Sequence, residues 1–367
     1  MVKSTTIPQN IGATDKTLRI VAAGLCCAVG YTAQAVSCAL RAGMDHFQES
    51  EFITHNGEPV RVARLADTET WGAQRQSQWM VHAVNDCLSQ ATQRQSATKI
   101  DGPLTVLLLS AEPSRPGVEE RSAIEAALMG SNLLKLPLSN HSKVWHSGRA
   151  GLSAVLQGAH DLLIKGTCQQ VMLLGFDSYL NAQTINHYLQ AERLLVPGNR
   201  DGFIPGEAAA AVLLELATPE AGGVYITGWG EAMEAGRPDG SVPSRAQGLS
   251  QALRTAFRQA DITCNDLDWR MSDQNGEGFF AGEAANAITR VAETGGTVPM
   301  VYTTADCVGE VGAATGPLML AWLNQLLHRE DGPGDCGVIH LANDEGLRSA
   351  VVVQHVTGLA DTAGNPL

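Results

Sequence analysis

Basic charge is scarce in this sequence. Its 367 residues include 25 lysines and arginines against 38 aspartates and glutamates, which gives a formal net charge of −13. Proteins bind nucleic acids and anionic membranes through clustered Lys and Arg, and no basic run occurs here. The sequence therefore predicts no nucleic-acid partner. Apolar residues at 44% and charged residues at 17% indicate an ordinary globular chain rather than a disordered one.

The sequence also lacks metal and redox motifs. Its eight cysteines form no CxxC pair, and none lies near histidines at zinc spacing. We therefore expect neither a metal nor another cofactor, and we interpret the cysteines as reduced, buried thiols of a cytoplasmic protein. The first 17 residues are polar and lack the apolar centre of a signal peptide.

Long apolar runs are rare as well. One uncharged segment, Ile20 to Leu40, is long enough to cross a bilayer, but it is rich in Gly, Ala, Ser, Thr and Cys. We interpret it as a strand over residues 20–27, a turn at Gly30 to Thr32 and a helix over residues 33–42. No membrane segment is expected.

The rest of the chain alternates strand and helix signals. Strands are predicted over residues 60–63, 104–110, 171–175, 224–230, 268–272, 298–303, 337–341 and 349–356. Helices are predicted over residues 71–91, 119–130, 152–163, 181–195, 245–260 and 317–327. Turn formers at 218–223 predict a linker, so that residues 1–218 and 219–367 form two halves of similar βα order. Periodicity alone indicates an α/β protein with parallel sheets.

The most specific pattern lies between Val144 and Glu215. It contains VWHSGRAGLSAVLQGAHDLL, the strand-like VMLLGFDSYL and finally RDGFIPGEAAAAVLLE. This stretch resembles the β-ketoacyl synthases, the condensing enzymes of the thiolase fold, whose signature DGF-PGE-A-A-LLE is close to the last segment. The resemblance implies a thiolase fold: two similar βα halves packed as a five-layer αβαβα sandwich with two central sheets.

The catalytic residues of that family are replaced in this sequence. Its nucleophilic cysteine falls on Gly148, or on Ser147 if the alignment shifts by one residue. The family segment HGTGT-xxx-D-x-x-E fits here without a gap, with Asn275 at the histidine and Glu277 at the first threonine. The segment K-S-x-x-G-H fits as well, with Ala305 at the lysine.

The remaining family histidine is replaced by Glu310. Decarboxylative condensation needs an activated thiolate and donors that stabilise an enolate. Gly148 supplies no nucleophile, Asn275 cannot shuttle a proton, and an ionised Glu310 would repel an enolate. The resemblance therefore implies an inactive homologue.

Three nearby side chains have simpler interpretations than catalysis. Ser147 is predicted to cap the following helix, and its neighbour His146 to be structural. Cys307 lies beside Asp306 and Glu310 in sequence, so we expect a raised thiol pKa and an inert cysteine.

Acidic residues of the expected pocket leave two interpretations open. Glu277, Glu283 and Glu310 could form a hydrolytic acid/base site. Alternatively, Glu283 and Glu207 cap helices or pair with arginines. Arg149 is unusual on such a turn; it could hold a carboxylate or a carbonyl oxygen, or it could pair with Glu310 as a charge-neutral plug.

Three functions follow from the resemblance. The first is a catalytically inactive binding, scaffold or accessory protein. The second is an acyltransferase of the 3-oxoacyl-ACP synthase type that uses Ser147, Asn275 and Glu310. The third is a partner of an active synthase, as chain-length-factor subunits are. Degenerate thiolase-like proteins also occur in bacterial type VI secretion gene clusters, and the motif Asn275-Gly276-Glu277 is similar to theirs.

The expected partners follow from the same resemblance. We predict a homodimer in which the strand Gln170 to Gly175 pairs across a two-fold axis. An acyl carrier protein or a secretion-system protein is the expected heterologous partner. The Gly-Phe-Gly-Gly gate of the synthases is not recognisable, and the segment His340 to Gly346 occupies roughly its place.

Overall fold

A computed structural model describes residues 17–65, 69–94, 102–130, 133–218, 222–292, 296 and 298–356. The strands of these residues are β1 (Leu18–Cys27), β2 (Phe47–Ile53), β3 (Pro59–Ala63), β4 (Val106–Ser110), β5 (Lys143–His146), β6 (Val171–Ser178), β7 (Glu207–Leu216), β8 (Gly223–Met233), β9 (Trp269–Ser272), β10 (Met300–Thr303), β11 (Cys336–Ala342) and β12 (Leu347–Val356). The α-helices are α1 (Ala33–Arg41), α2 (Gly72–Arg94), α3 (Val118–Met129), α4 (Leu152–Ile164), α5 (Ala182–Gln190), α6 (Gln247–Ala260), α7 (Gly278–Val291), α8 (Ala305–Val308) and α9 (Thr315–Leu326).

The sheet shows that the chain is built from two similar halves. Its order is β10-β9-β11-β12-β8-β1-β7-β6-β4-β5, whereas β2 and β3 form a separate hairpin. The order β5-β4-β6-β7-β1 in the first half is repeated by β10-β9-β11-β12-β8 in the second. In each half the first three strands are parallel and the last two join antiparallel. The predicted duplication is confirmed.

The layers are those of the expected sandwich. Helices α4 and α9 each pack against strands of both halves, and almost every residue of α9 is buried. A helix that is apolar on all sides is stable only in such an interior. Helices α2 and α3 cover the outer face of the first half, and α6 and α7 cover that of the second. The two expected sheets are hydrogen-bonded into one, because β1 pairs with β8 over Leu18–Ile20 and Val224–Ile226.

The uncharged N-terminal segment forms strand β1 and helix α1, as predicted. Thr32 caps α1 by accepting a hydrogen bond from the Ala35 N–H. Of the residues that the structure describes, none belongs to a helix both long and apolar enough to cross a membrane.

Several elements differ from the sequence-based expectations. Strands β2, β5 and β7 were not predicted, and the helix expected to reach residue 195 ends at Gln190. It ends there because Glu192 has a positive φ of 54° and Leu194 forms a β-bridge with Phe203. Half of the predicted linker, residues 219–221, lies outside the described residues.

The predicted dimer strand is wrong. Residues 171–175 belong to β6, which pairs with β4 on one side and β7 on the other. A strand with both edges occupied cannot pair with another chain. The sheet ends instead at β5 and β10, which each pair with one strand only within the described residues.

Candidate functional site

The position of the expected nucleophile lies in the tight turn between β5 and α4. Gly148 begins a short 3-10 segment there with φ +57°. The second half repeats this arrangement, because Gly312 begins a 3-10 segment before α9 with φ +52°. Residues other than glycine rarely adopt this left-handed backbone conformation.

The space beside each glycine is already occupied by a carboxylate. A Cβ atom on Gly148 would lie 1.9 Å from Oε1 of Glu112, which follows β4. A Cβ atom on Gly312 would lie 2.0 Å from Oδ2 of Asp177, at the end of β6. Burial raises the pKa of Glu112, although nearby Arg115 acts to lower it. The nucleophile position therefore lacks both a reactive group and the room for one.

The two family histidine positions belong to one buried network around Glu310. Its carboxylate accepts hydrogen bonds from Nη1 of Arg149, from Nδ2 of Asn275 at 2.7 Å and from the Gly312 N–H at 2.8 Å. Glu310 and Arg149 are both nearly inaccessible to solvent. The predicted Arg149–Glu310 pair is confirmed.

Arg149 is held on its other sides as well. Its Nε donates to the Ala342 carbonyl and lies 3.2 Å from Oδ2 of Asp273, and its guanidinium lies 4.5 Å from the centre of the Phe280 ring. Burial raises the pKa of Asp273 to about 6, although Arg149 acts to lower it. The guanidinium is therefore fixed in position by two carboxylates and a ring.

The other candidate carboxylates are each paired with a different arginine. Glu277 accepts from Arg193 at 2.6 Å and 3.0 Å, and Glu283 from Arg348 at 3.1 Å. Glu207 accepts from Nε of Arg75 at 2.9 Å, and burial raises its pKa to about 7. The predicted arginine pairing of Glu283 and Glu207 is confirmed. Glu277 also accepts from Nδ2 of Asn275 at 3.1 Å, the same group that donates to Glu310, so these two carboxylates belong to one hydrogen-bonded network.

Ser147 precedes the 3-10 turn but does not cap it. Its side chain makes no capping hydrogen bond, so this prediction is wrong. Its carbonyl instead accepts from Nδ2 of Asn343 at 3.1 Å. The imidazole of His146 is exposed and lies 3.0 Å from Oε2 of Glu125, as expected of a structural residue rather than a base for Ser147.

Ala305 and Cys307 both belong to the short helix α8. Ala305 is half-buried at its first position, and Cys307 is buried. Burial raises the thiol pKa, and the carboxylates of Asp306 and Asp45 raise it further. The expected direction of this shift is confirmed, although Asp45 and not Glu310 is the second carboxylate. A raised thiol pKa lowers the fraction of thiolate, which is the reactive form of cysteine.

Residues 201–207, the signature DGFIPGE, form backbone hydrogen bonds with the segments that carry the site residues. Asp201 accepts a hydrogen bond of 2.6 Å from the Gly278 N–H at the start of α7. The Ile204 carbonyl accepts one of 2.8 Å from the Glu310 N–H, and the Gly206 N–H donates one of 2.9 Å to the Glu310 carbonyl. The motif therefore fixes the backbone on which Glu310 lies.

Sequence reasoning missed several charged residues of the site, among them Glu112, Arg115 and Asp177. Arg115 pairs with Asp177, and its guanidinium lies 4.4 Å from the centre of the Tyr179 ring. Asp177 also accepts from the Ala313 N–H at 2.8 Å. Glu112 lies just after β4 and Asp177 near the end of β6, and a charge at the end of an apolar strand was the available signal.

The turn between β11 and β12 closes over these groups. Asp344 accepts from Nη1 of Arg193 at 2.7 Å, and Glu345 accepts from the Ser114 hydroxyl. Beneath the turn lies a cavity of about 200 Å³, with Arg115 and Arg149 in its wall. Among the residues described, no group of three or more His, Cys, Asp and Glu side chains could hold a metal ion.

Comparison with known proteins agrees with this architecture. No protein-family model and no curated protein matches the sequence. Solved structures do match. The ishigamide ketosynthase/chain length factor is 15% identical with TM-score 0.70, covering 94% of this chain and 100% of that one. A β-ketoacyl synthase from Burkholderia phymatum is 16% identical with TM-score 0.71, covering 93% and 100%.

A third match has the same character. A ketosynthase in complex with its chain length factor from Xenorhabdus doucetiae is 14% identical with TM-score 0.69, covering 93% of this chain and 98% of that one. At these identities the likeness shows the fold. The chain has the thiolase fold of the β-ketoacyl synthases, as its sequence motifs predict.

Proposed function

We propose that this chain is a non-catalytic protein of the ketosynthase fold that acts by binding. One observation carries the proposal: the Glu112 carboxylate occupies the space into which a nucleophile on residue 148 would project. A condensing enzyme needs a thiolate at the start of that helix. Here the position offers neither the thiolate nor room for an acyl group attached to it.

The groups around the missing nucleophile support the same conclusion. Oxyanion stabilisation requires donors directed at a developing negative charge. Asn275 and Nη1 of Arg149 instead donate to Glu310, which brings a negative charge of its own. Restoring the chemistry would require replacing a connected, buried network rather than one side chain.

An acyltransferase that catalyses with other residues of the pocket is a weaker candidate. Within the described residues, Ser147 has no hydrogen bond to a histidine, and His146 is engaged by Glu125. Cys307 has a raised pKa. Neither residue meets the requirement for an activated nucleophile.

A partner role is the second candidate function. Two of the similar structures pair a ketosynthase with a chain length factor, and a third contains an acyl-carrier protein in complex with its ketosynthase. The exposed edge of β5 offers a place for such pairing, with a second copy or with an active synthase. An accessory role in a type VI secretion cluster stays a hypothesis from the sequence resemblance.

We also propose a cytoplasmic location and two structural halves, residues 1–218 and 219–367. All eight cysteines are free thiols in the structure, which is usual in a reducing compartment. The repeated strand order supports this division, since β1 to β7 precede residue 218 and β8 to β12 follow it.

A decarboxylation assay tests the proposed function. The pure protein is mixed with malonyl and acyl thioesters of an acyl carrier protein, and an active ketosynthase serves as the positive control. We expect no release of CO₂ and no β-ketoacyl product from this chain. Turnover above that of heat-treated protein would contradict the proposal.

A restored variant extends the test. Gly148→Cys, Asn275→His, Ala305→Lys and Glu310→His return the family residues, and Glu112→Ala is added to make room for the cysteine. We expect trace activity at most, because catalytic groups must be held to within about half an ångström by their surroundings. Robust condensation would show that the pocket is intact and that only the reactive groups were lost.

A further inference from the structure

The outer surface of helices α6 and α7 carries four exposed arginines: Arg245, Arg254, Arg258 and Arg290. Nine other arginines each form an ion pair with a carboxylate. Within the described part of the chain, none of these four has such a partner. Carboxylates are in excess in this chain, whose net charge is −13, so unpaired arginines grouped on one surface call for an explanation.

Contacts among the four side chains show that they form one surface. Nη2 of Arg254 donates to the Arg290 carbonyl at 3.2 Å, and Nη1 of Arg290 donates to the Arg245 carbonyl. Arg258 lies one turn after Arg254 on the same face of α6. A guanidinium has several N–H donors, so each of these contacts leaves others directed at solvent. We call Arg245, Arg254, Arg258 and Arg290 the arginine face.

Acidic side chains are kept away from the arginine face. The exposed positions of α6 are Gln247, Gln251, Arg254, Arg258 and Gln259, and those of α7 are neutral apart from Arg290. Glu283 of α7 is buried against Arg348. Glu231 lies on the neighbouring strand β8, where residue 230 faces α6, so the side chain of residue 231 points to the opposite side of the sheet.

The internal duplication shows that the fold does not require these arginines. Helix α2 packs on β1 and β7 in the first half as α6 packs on β8 and β12 in the second. The exposed positions described for α2 carry Gly, Gln, His, Asn, Ser and Thr, with no Arg or Lys among them. The positive charge therefore belongs to the second half alone.

The arginine face borders a surface groove of about 560 Å³. Arg254 and Arg290 line it together with Gln247, Gln251 and Met233. Met233 is 63% exposed, which is unusual for so large an apolar side chain. Protein–protein interfaces are enriched in Arg and Met and depleted in Lys, Asp and Glu relative to the rest of a protein surface. The composition of this groove is typical of such an interface.

The length of the surface indicates what kind of anion it fits. Gln247, Gln251, Arg254 and Arg258 form a row of about 16 Å along α6. A single phosphate or carboxylate contacts only part of such a row, whereas a chain segment with several carboxylates matches its whole length. The exposed positions of the two helices include no aromatic ring on which nucleic-acid bases could stack.

We propose that the arginine face binds an acidic segment of a partner protein. The carboxylates of that segment pair with the four guanidiniums, and an apolar side chain of the segment packs against Met233. The inference deepens the proposed binding function and rests on it, since it assigns a surface and a partner chemistry to a protein that acts by binding.

A pair of fluorescent peptides tests the proposal. Each has about 12 residues, enough to span the row as a helix, with a leucine near one end. One peptide carries glutamate at the remaining positions, and the other carries glutamine. By fluorescence anisotropy, we expect the glutamate peptide to bind at least about tenfold more tightly, with an affinity that falls as salt is added.

Oligothymidylate and inorganic phosphate serve as competing anions in the same assay. We expect neither to displace the glutamate peptide at equal concentration. Equal affinity of the two peptides, no binding of either, or displacement by oligothymidylate or phosphate would overturn the proposal.

Paired charge variants locate the binding. Arg254→Gln/Arg258→Gln should weaken binding of the glutamate peptide by about fivefold or more, because each exposed ion pair changes the affinity by a few-fold. Arg61→Gln/Arg329→Gln removes two exposed arginines elsewhere and should leave binding unchanged. Equal loss in both double variants would show a response to net charge alone and overturn the assignment.

A single variant guards against a loss of folding. The Arg258 side chain has no hydrogen bond or ion pair within the described residues, so Arg258→Glu leaves the contacts of Arg254 and Arg290 in place. It should fold as wild type by urea unfolding and bind the glutamate peptide more weakly than wild type. Unchanged binding would contradict the proposal. The decarboxylation assay does not involve this surface, so the two proposals fail separately.

Discussion

Glu112 and Gly148 explain at the residue scale why this site differs from that of a condensing enzyme. The sequence shows that a nucleophile is absent from residue 148, but it does not show what fills the space. The structure places the Glu112 carboxyl there, and the left-handed φ of Gly148 makes any larger residue strained as well. The Glu112 carboxyl therefore leaves no room for a reactive side chain at this turn, and the backbone conformation would add strain to any that replaced the glycine.

This arrangement predicts a strong coupling between residues 112 and 148. Gly148→Ala should destabilise the protein because its methyl group collides with Glu112. The matched control is Gly166→Ala, since Gly166 also has a positive φ, of 65°, but nothing lies within 4 Å of its added Cβ. We expect Gly148→Ala to lower the free energy of unfolding by about 1–3 kcal/mol more than Gly166→Ala, as measured by urea unfolding.

The double variant completes a double-mutant cycle, which measures the coupling between residues 112 and 148. In Glu112→Ala/Gly148→Ala the collision is absent, so the added destabilisation should largely disappear and leave the effect of the backbone strain. A coupling energy near zero would mean that Glu112 does not occupy this space.

His340 provides a second residue-scale prediction, on pH. It is buried in β11 and accepts from Nη1 of Arg270 at 3.3 Å, and burial lowers its pKa from 6.5 to about 3. Below pH 6.5 the unfolded chain therefore binds a proton that the folded chain does not, so this residue's stabilisation is present above pH 6.5 and declines as pH falls toward 3.

The His340→Gln variant isolates that effect, because glutamine can still accept from Arg270 but does not titrate. Between pH 7 and pH 5, wild type should lose about 2 kcal/mol of unfolding free energy more than the variant does. Urea unfolding at both pH values measures the difference. Parallel pH dependence of the two proteins would show that His340 titrates normally.

Residue contacts were predictable only where the sequence placed both partners in one pocket. Arg149 and Glu310 fall on two segments that the family brings together, so their pairing could be inferred. Glu112 lies on neither segment, and its contact with residue 148 depends on the course of a loop. Ser147 was expected to cap a helix, but the turn after it is a 3-10 segment that leaves its hydroxyl without that bond.

At the scale of elements, the type of a strand was more predictable than its place in the sheet. The apolar run of β6 indicates a strand buried on both faces, which is correct. The run does not show which strands flank it, and β6 proves to be internal. Strand β7 was missed because its four consecutive alanines favour a helix, whereas tight packing between neighbouring strands and helices selects small side chains there.

The exposed edge of β5 predicts where copies of this chain would meet. Lys143→Cys, in a Cys38→Ser background that removes the exposed native thiol, should be linked into a dimer by a short bifunctional maleimide. Lys165→Cys is the matched control, since that lysine is exposed just after α4 and away from the edge. Equal cross-linking of both variants, or a mass of 38.8 kDa by light scattering at micromolar concentration, would contradict pairing through β5.

At the scale of the whole molecule, the duplicated scaffold is retained while the site between its halves is filled with ion pairs. The repeated βα order and the DGFIPGE signature were enough to predict the fold. Sequence could not show that β1 and β8 join the halves into one hydrogen-bonded sheet, because this depends on three residue pairs at the strand ends. Buried ion pairs add little net stability, but removing one partner leaves an unpaired buried charge and destabilises the protein. Single substitutions in this network are therefore expected to be destabilising.

Intact-mass analysis after exposure to acyl donors tests the central claim most directly. The full-length protein is incubated with acyl-CoA and with acyl thioesters of an acyl carrier protein, beside an active ketosynthase. We predict that its mass stays that of the unmodified chain while the control is acylated, because residue 148 has no nucleophile and Glu112 fills the space. Stoichiometric acylation at Ser147 or Cys307, lost when that residue is replaced by alanine, would contradict the account and make this chain an enzyme.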